Sequence, residues 1–206
     1  MKIRSFLALD MPNEVKQKLG RLISDFAKKE QGVKWIAAEN LHVTMKFFGD
    51  VEEDLLLGDI SAAIKNATDN LKPVTLECTG LGVFPNWRYP KVIWAGFLGD
   101  VEPVLAMSDK LETALAGFPI KRDERAFRLH LTIGRAKELK SSGLLMQLIN
   151  DLGPIKFGTV PINHFTLYKS VLTREGSVYT ALKRFEFKRE EIGSRKSDIR
   201  HQTSDF

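Results

Sequence analysis

A chain of 206 residues with 43% hydrophobic and 28% charged positions has the apolar content for a substantial core, arranged as one domain or two small lobes. Its formal net charge of +5 favours anionic partners without naming one. A single cysteine, Cys78, rules out an internal disulfide and a cysteine-based zinc site, and the lack of a signal peptide or a bilayer-length apolar run gives the expectation of a cytoplasmic protein.

The chain opens with a strand over 3–9. Asp10 or Asn13 is the expected cap of the helix that follows, with Pro12 at its entrance and Val15, Leu19, Leu22, Ile23 and Phe26 at helical spacing to about Lys29. Gly32 breaks that helix. A short strand over 33–36 and a loop through Asn40 lead into a strand beginning at Leu41 and ending near Gly49. A second helix carries Leu55, Ile60 and Ile64. Val74 to Thr79 reads as a strand with Cys78 as a buried small hydrophobe, and 80–90 as a loop.

Lys91 to Phe97 is an apolar strand, and Val104, Met107, Leu111 and Leu115 mark a third helix. A charged loop, 121–125, leads to a strand around Leu129 to Ile133. Then come a helix from about Ser141 to Asp151, a strand from Val160 to Ser170, a turn at 173–176 and a strand from Ser177 to Phe187. The segment 189–206 is polar and aperiodic and is expected to be a frayed tail. Strands and helices alternating in this way give an α+β architecture with two similar lobes.

The 41–46 strand has an unusual polar face. Alternation sends Leu41, Val43 and Met45 one way and His42, Thr44 and Lys46 the other. An imidazole, a hydroxyl and an ammonium in a row suit an anion. A second copy follows at Leu129–Ile133, with Arg128, His130 and Thr132 on one face. His42 and His130 lie 88 positions apart, as do Phe6 and Trp94, and Pro73 and Pro161. The offset is too long for a solenoid and reads as a duplicated supersecondary unit whose two half-sites face one another. A third His-x-Thr, at His164, aligns under the same offset with Leu76, in a strand without the motif, so a structural role is expected for it.

Two imidazoles are a natural general acid and general base, one taking a proton from a nucleophile and the other giving one to a leaving oxygen. The hydroxyls of Thr44 and Thr132 can donate to a phosphoryl oxygen, and Lys46, Arg128 and Arg135 can offset developing negative charge. Strict alternation turns Arg135 away from that face unless the strand bends at Gly134. Two histidines are too few for a metal site, no Gly-x-Ser-x-Gly elbow is present, and no Walker-type loop is present. Metal-free phosphoester chemistry with no cofactor is the reading that remains.

The ordered set of motifs resembles the 2H phosphoesterase superfamily, and within it the RNA 2′,3′-cyclic phosphodiesterases of the 2′-5′ RNA ligase type. The segments that carry the resemblance are 3–8, Trp35 with 40–49, 82–85, 90–94, 129–135, 167–170 and 176–179. Leu129 stands where the family usually has proline, which leaves the alternation intact. The resemblance implies a single bilobal domain over 1–188, with lobes of roughly 1–90 and 91–188, termini free to cross between them, antiparallel sheets around a central cleft and helices outside. It implies hydrolysis of RNA 2′,3′-cyclic ends to a 2′-phosphate, with His42 as acid, His130 as base, Thr44 and Thr132 holding the phosphate and Arg135 assisting, and 2′-5′ ligation as a related activity. The sequence leaves the direction of proton transfer open. It also leaves open another small cyclic phosphate or 2′-5′ linkage as substrate, and an RNA-end-binding role without turnover. The expected partners are RNA ends or nucleoside 2′,3′-cyclic phosphates, bound by a monomer with no membrane or obligate protein partner. Phe84, Trp87 and Tyr168 are candidates to stack a base, and 121–125 and 88–91 are candidate RNA contacts.

Overall fold

The computed structural model describes residues 1–137, 142–174 and 176–187. The expected tail at 189–206 lies outside them, as does Ser141 at the start of the last helix. The strands are β1 (Lys2–Asp10), β2 (Val33–Trp35), β3 (His42–Glu52), β4 (Val74–Phe84), β5 (Val92–Leu98), β6 (Leu131–Ala136), β7 (Lys156–Ile162), β8 (His164–Leu172) and β9 (Ser177–Glu186). The helices are α1 (Asn13–Lys29), α2 (Glu53–Leu55), which passes through a π-helical segment Leu56–Ile60 into α3 (Ser61–Thr68), then α4 (Glu102–Leu115) and α5 (Ser142–Leu152).

Two antiparallel sheets form, in the orders β3-β1-β8-β9 and β2-β6-β5-β4-β7. The 88-residue offset maps β1 onto β5, β3 onto β6 and β4 onto β8, so β3-β1-β8 and β6-β5-β4 are the same arrangement twice. The third strand of each trio comes from the other half of the chain. Lobes therefore do not coincide with 1–90 and 91–188: β4 pairs with β5, and β8 with β1. The exchange of β4 and β8 ties the two half-sites together covalently.

Apolar alternation builds the core. Val15, Leu19, Leu22, Ile23 and Phe26 form the buried face of α1, each such burial contributing about 1.5–3 kcal/mol. Cys78 is fully buried, and desolvation pushes its thiol up to about 12, as befits a small hydrophobe in β4.

Three local expectations are corrected. Neither Asp10 nor Asn13 caps α1; the helix begins after Pro12 without a side-chain cap, because the Asp10 carboxylate is taken up elsewhere. β4 continues through 80–84 instead of ending at Thr79, since Gly80, at φ +65°, lets the chain bulge and resume pairing with β5. The strand expected over 160–170 is two strands, which part at Asn163 and join different sheets.

Candidate active site

His42 opens β3, the edge strand of its sheet, and His130 immediately precedes β6. The two rings are held alike. His42 Nδ1 lies 2.7 Å from the Asn40 carbonyl oxygen, and His130 Nδ1 lies 2.6 Å from that of Arg128, two residues upstream in each case. A carbonyl can only accept, so Nδ1–H donates and Nε2 is the nitrogen left for proton exchange. At His42 this Nε2 accepts the Thr44 hydroxyl at 3.1 Å.

Aromatic rings support both imidazoles. Phe6 stacks on His42 at 4.7 Å between centroids, Tyr179 meets it edge-on at 5.3 Å, and Phe84 meets His130 edge-on at 5.1 Å. Burial among these groups lowers the pKa of both histidines. The carbonyl bonds oppose that shift, as does the Asp10 charge at His42, while the Arg135 guanidinium lowers both further. Arg135 thus acts electrostatically on the two rings together.

The cleft between the motif strands has a volume of about 690 Å³ and is lined by Thr44, His130, Thr132 and Arg135, together with Arg128 and the 121–127 loop. His42 adjoins it through Thr44 and opens on a smaller recess of about 360 Å³ with Asp10, Tyr168 and Tyr179.

A bulge sets the orientation of the residues beyond each motif. β1 pairs Ala8 with Thr44 and Leu7 with Lys46, skipping Met45, and β5 pairs Trp94 with Thr132 and Ile93 with Gly134, skipping Ile133. One skipped residue reverses the alternation beyond it. Arg135 therefore returns to the cleft, answering the strand-bend condition set by Gly134. Lys46 sits in the wall of the cleft but is covered: only 2% of its side chain is exposed, its ammonium bonds Glu112, the Lys121 carbonyl at 2.9 Å and Asp123 at 3.0 Å, and Phe47 takes the open position at 55% exposed. All three donors of the Lys46 ammonium are used within the protein.

A model of the LigT like Phosphoesterase family matches residues 9–94 and 99–179. The chain belongs to the LigT-like phosphoesterase family. A protein of Methanothermobacter thermautotrophicus named RNA 2′,3′-cyclic phosphodiesterase is 34% identical over 90% of this chain and 99% of its own. One of the same name from Methanocaldococcus jannaschii is 34% identical over 88% and 99%. Among solved structures, a Thermus thermophilus protein superposes with a TM-score of 0.73 at 26% identity, covering 91% of this chain and all of that one. Escherichia coli LigT, solved with 3′-AMP, shares the fold with a TM-score of 0.71 at 24% identity, covering 92% and 100%.

In this LigT-like phosphoesterase the other candidates divide by geometry. Arg128 lines the cleft with its guanidinium 5.5 Å over the Phe84 ring. Phe84 is engaged with His130 and Trp94, and Trp87 packs against the core. Tyr168 donates to Asp10 Oδ1 at 2.6 Å and stacks on Phe6. His164 is tied to Asp10: its Nε2 lies 2.9 Å from Asp10 Oδ2, which Thr166 also contacts at 2.6 Å. Among the described residues no group of three or more His, Cys, Asp or Glu side chains is arranged to hold a metal ion, and no helix is long and apolar enough to cross a membrane.

Sequence reasoning missed Asp10, Phe6 and Tyr179 as neighbours of His42. The repeat did carry a signal for one of them: Phe6 aligns with Trp94, an aromatic at the equivalent place in each half. Asp10 has no acidic counterpart, because Leu98 stands at its offset position.

Proposed function

We propose that this LigT-like phosphoesterase opens the 2′,3′-cyclic phosphate at RNA ends to a 2′-phosphate by acid–base catalysis between His42 and His130, without a metal or cofactor. The observation that carries the reading is the pair of His-x-Thr strands in which each ring gives Nδ1–H to a carbonyl and keeps Nε2 for the reaction. The relatives named RNA 2′,3′-cyclic phosphodiesterase, matched over nearly their whole length, support the substrate.

In the reaction His130 takes a proton from water, the water oxygen bonds to phosphorus, the O3′–P bond breaks, and His42 protonates the departing O3′. Asp10 supports this direction, since its carboxylate favours the protonated form of His42 and nothing acidic occupies its offset position beside His130. Thr44 and Thr132 donate to the non-bridging oxygens, and Arg135 and Arg128 balance the phosphoryl charge. Thr44 turns from His42 Nε2 to the phosphate, leaving that nitrogen free to carry the proton it delivers. An RNA 5′-hydroxyl in place of water yields a 2′-5′ linkage by the same steps, reversibly. Both motifs come from one chain, which supports a monomer, and an RNA substrate supports a cytoplasmic location.

The test is turnover of cytidine 2′,3′-cyclic phosphate and of an RNA ending in a cyclic phosphate, in excess EDTA, with the product isomer identified. A 2′-phosphate that persists in EDTA and falls about 10²–10⁴-fold in His42→Ala and in His130→Ala is expected. A 3′-phosphate product, or activity abolished by EDTA, would refute the mechanism.

A further inference from the structure

Fifteen residues, 116–130, run from the end of α4 at Leu115 to β6 at Leu131 without a helix or strand. Loops of that length inside a compact fold are uncommon and usually functional. This one borders the cleft and carries Lys121, Arg122, Arg125 and Arg128. Its charges are sorted. Lys121 pairs with Glu124 at 3.4 Å and Asp123 pairs with Lys46, whereas Arg122 and Arg125 have no ion-pair or hydrogen-bond partner among the described residues. Two guanidinium groups therefore stand unspent along the cleft beyond the motif residues.

Phe118, Ile120 and Phe127 of this loop pack against the core, and Lys46 ties its charged stretch to β3. Lys46 belongs to β3, in the sheet that holds His42, while Glu112 and Asp123 belong to the helix and loop that precede the other motif strand. The bulge at Met45 aims its ammonium across the divide, where a carboxylate of α4, a loop carbonyl and a loop carboxylate each take one donor. The arrangement joins the two half-sites and offsets part of the negative charge of Glu112 and Asp123 beside the cleft. At the equivalent place in the repeat stands Gly134, so only one side of the cleft has this device.

We propose that Lys46 is a positioning residue, clamping the 116–130 loop to β3 through Glu112 and Asp123 so that Arg122 and Arg125 grip the phosphodiester preceding the reacting cyclic end. The inference rests on the phosphodiesterase reading and deepens it: the preferred substrate is an RNA chain with at least one such phosphodiester, not a free nucleoside cyclic phosphate. The reacting phosphate is left to the motif residues and Arg135, and the loop supplies length specificity.

The experiment compares cytidine 2′,3′-cyclic phosphate with a tetraribonucleotide ending in the same cyclic cytidine, using the wild type, Lys46→Met and Asp123→Asn. Asp123→Asn leaves Lys46 bonded to Glu112 and the Lys121 carbonyl, so it tests the clamp even where Lys46→Met fails to fold. The expected result is a five- to tenfold fall in the ratio of kcat/KM for the tetranucleotide to that for the mononucleotide, carried by KM. The salt dependence of tetranucleotide KM should also flatten, by about 0.7 in log–log slope for each phosphate no longer gripped. An equal change for both substrates, or none, overturns the proposal. Anisotropy of a labelled tetranucleotide ending in a 2′-phosphate is measured in parallel. A wild-type protein that turned over neither substrate would sink the functional reading alone, while weaker tetranucleotide binding by Asp123→Asn would still uphold the clamp and unchanged binding would still overturn it.

Discussion

Met45 and Ile133, 88 positions apart, are the residues that the adjoining central strands skip. The two bulges occupy the same place in the repeat, and each changes which side chain faces the cleft beyond the motif threonine. In β6 it restores Arg135 to the cleft; in β3 it buries Lys46 and exposes Phe47. The geometry after the motif is thus set by a backbone irregularity shared by both halves.

Gly134 lies just beyond the second bulge, where β2 leaves no room for a side chain on β6. A Cβ there would lie 2.7 Å from Val33 Cγ1 and 2.9 Å from Trp35 Cε3, where β2 crosses β6. Gly134→Ala is expected to destabilise the fold by about 1–3 kcal/mol, the range of an overpacked core, and to raise KM by displacing Arg135. Urea unfolding and steady-state kinetics check both. A variant with wild-type stability and KM would mean that β2 yields without disturbing the site.

The two lowered histidines shape the pH profile. Under the proposed mechanism the free enzyme is competent with one imidazole protonated and the other neutral, so kcat/KM is expected to be bell-shaped between the two macroscopic pKa values of the pair. Both groups lie below the ordinary histidine value of about 6.5, which puts the optimum on its acid side. A maximum in kcat/KM above about 7 would contradict that environment.

Arg135→Gln gives a signed companion to this profile. The guanidinium lowers the pKa of both rings, so removing its charge raises both. The whole bell is expected to move to higher pH, while its height falls with the loss of phosphate binding. A drop in rate with an unmoved profile would separate Arg135 from the histidines.

Much of this was legible in the chain because side-chain alternation and a fixed offset are sequence properties. His42, Thr44, His130 and Thr132 stand on their strands as the period-2 pattern requires, and β1 and β5 lie beside them as the repeat requires. The fate of Lys46 was not legible, since the bulge depends on how β1 and β3 register, and Glu112 and Asp123 are 66 and 77 positions away. The exchange of β4 and β8 was equally hidden. Their patterns specify a strand with one buried face, and which sheet receives it is settled by tertiary packing. Asp10 read as a helix cap because an Asp two residues before Pro12, at the entrance of an amphipathic run, is a cap signal, and three side-chain donors from the exchanged strand outcompeted that local role.

Asp10 itself yields the last prediction. Burial pushes its carboxyl upward, but hydrogen bonds from His164, Thr166 and Tyr168, with the His164 charge, outweigh this and hold it well below the usual carboxylate range. A folded pKa below the unfolded value of about 3.9 stabilises the protein above that pH, and the contribution fades as pH falls through the interval below it. Asp10→Asn cannot accept all three bonds and is expected to cost about 1–3 kcal/mol at pH 7. The gap from the wild type should narrow below about pH 4, where the wild-type advantage titrates away. The same change removes a charge that supports protonated His42, the proposed acid, so the alkaline limb of kcat/KM should move to lower pH. Urea midpoints at pH 7 and pH 3, with the two pH–rate profiles, decide the matter. A stability gap independent of pH would mean that Asp10 acts through shape alone, and an unmoved alkaline limb would remove it from the proton economy of His42.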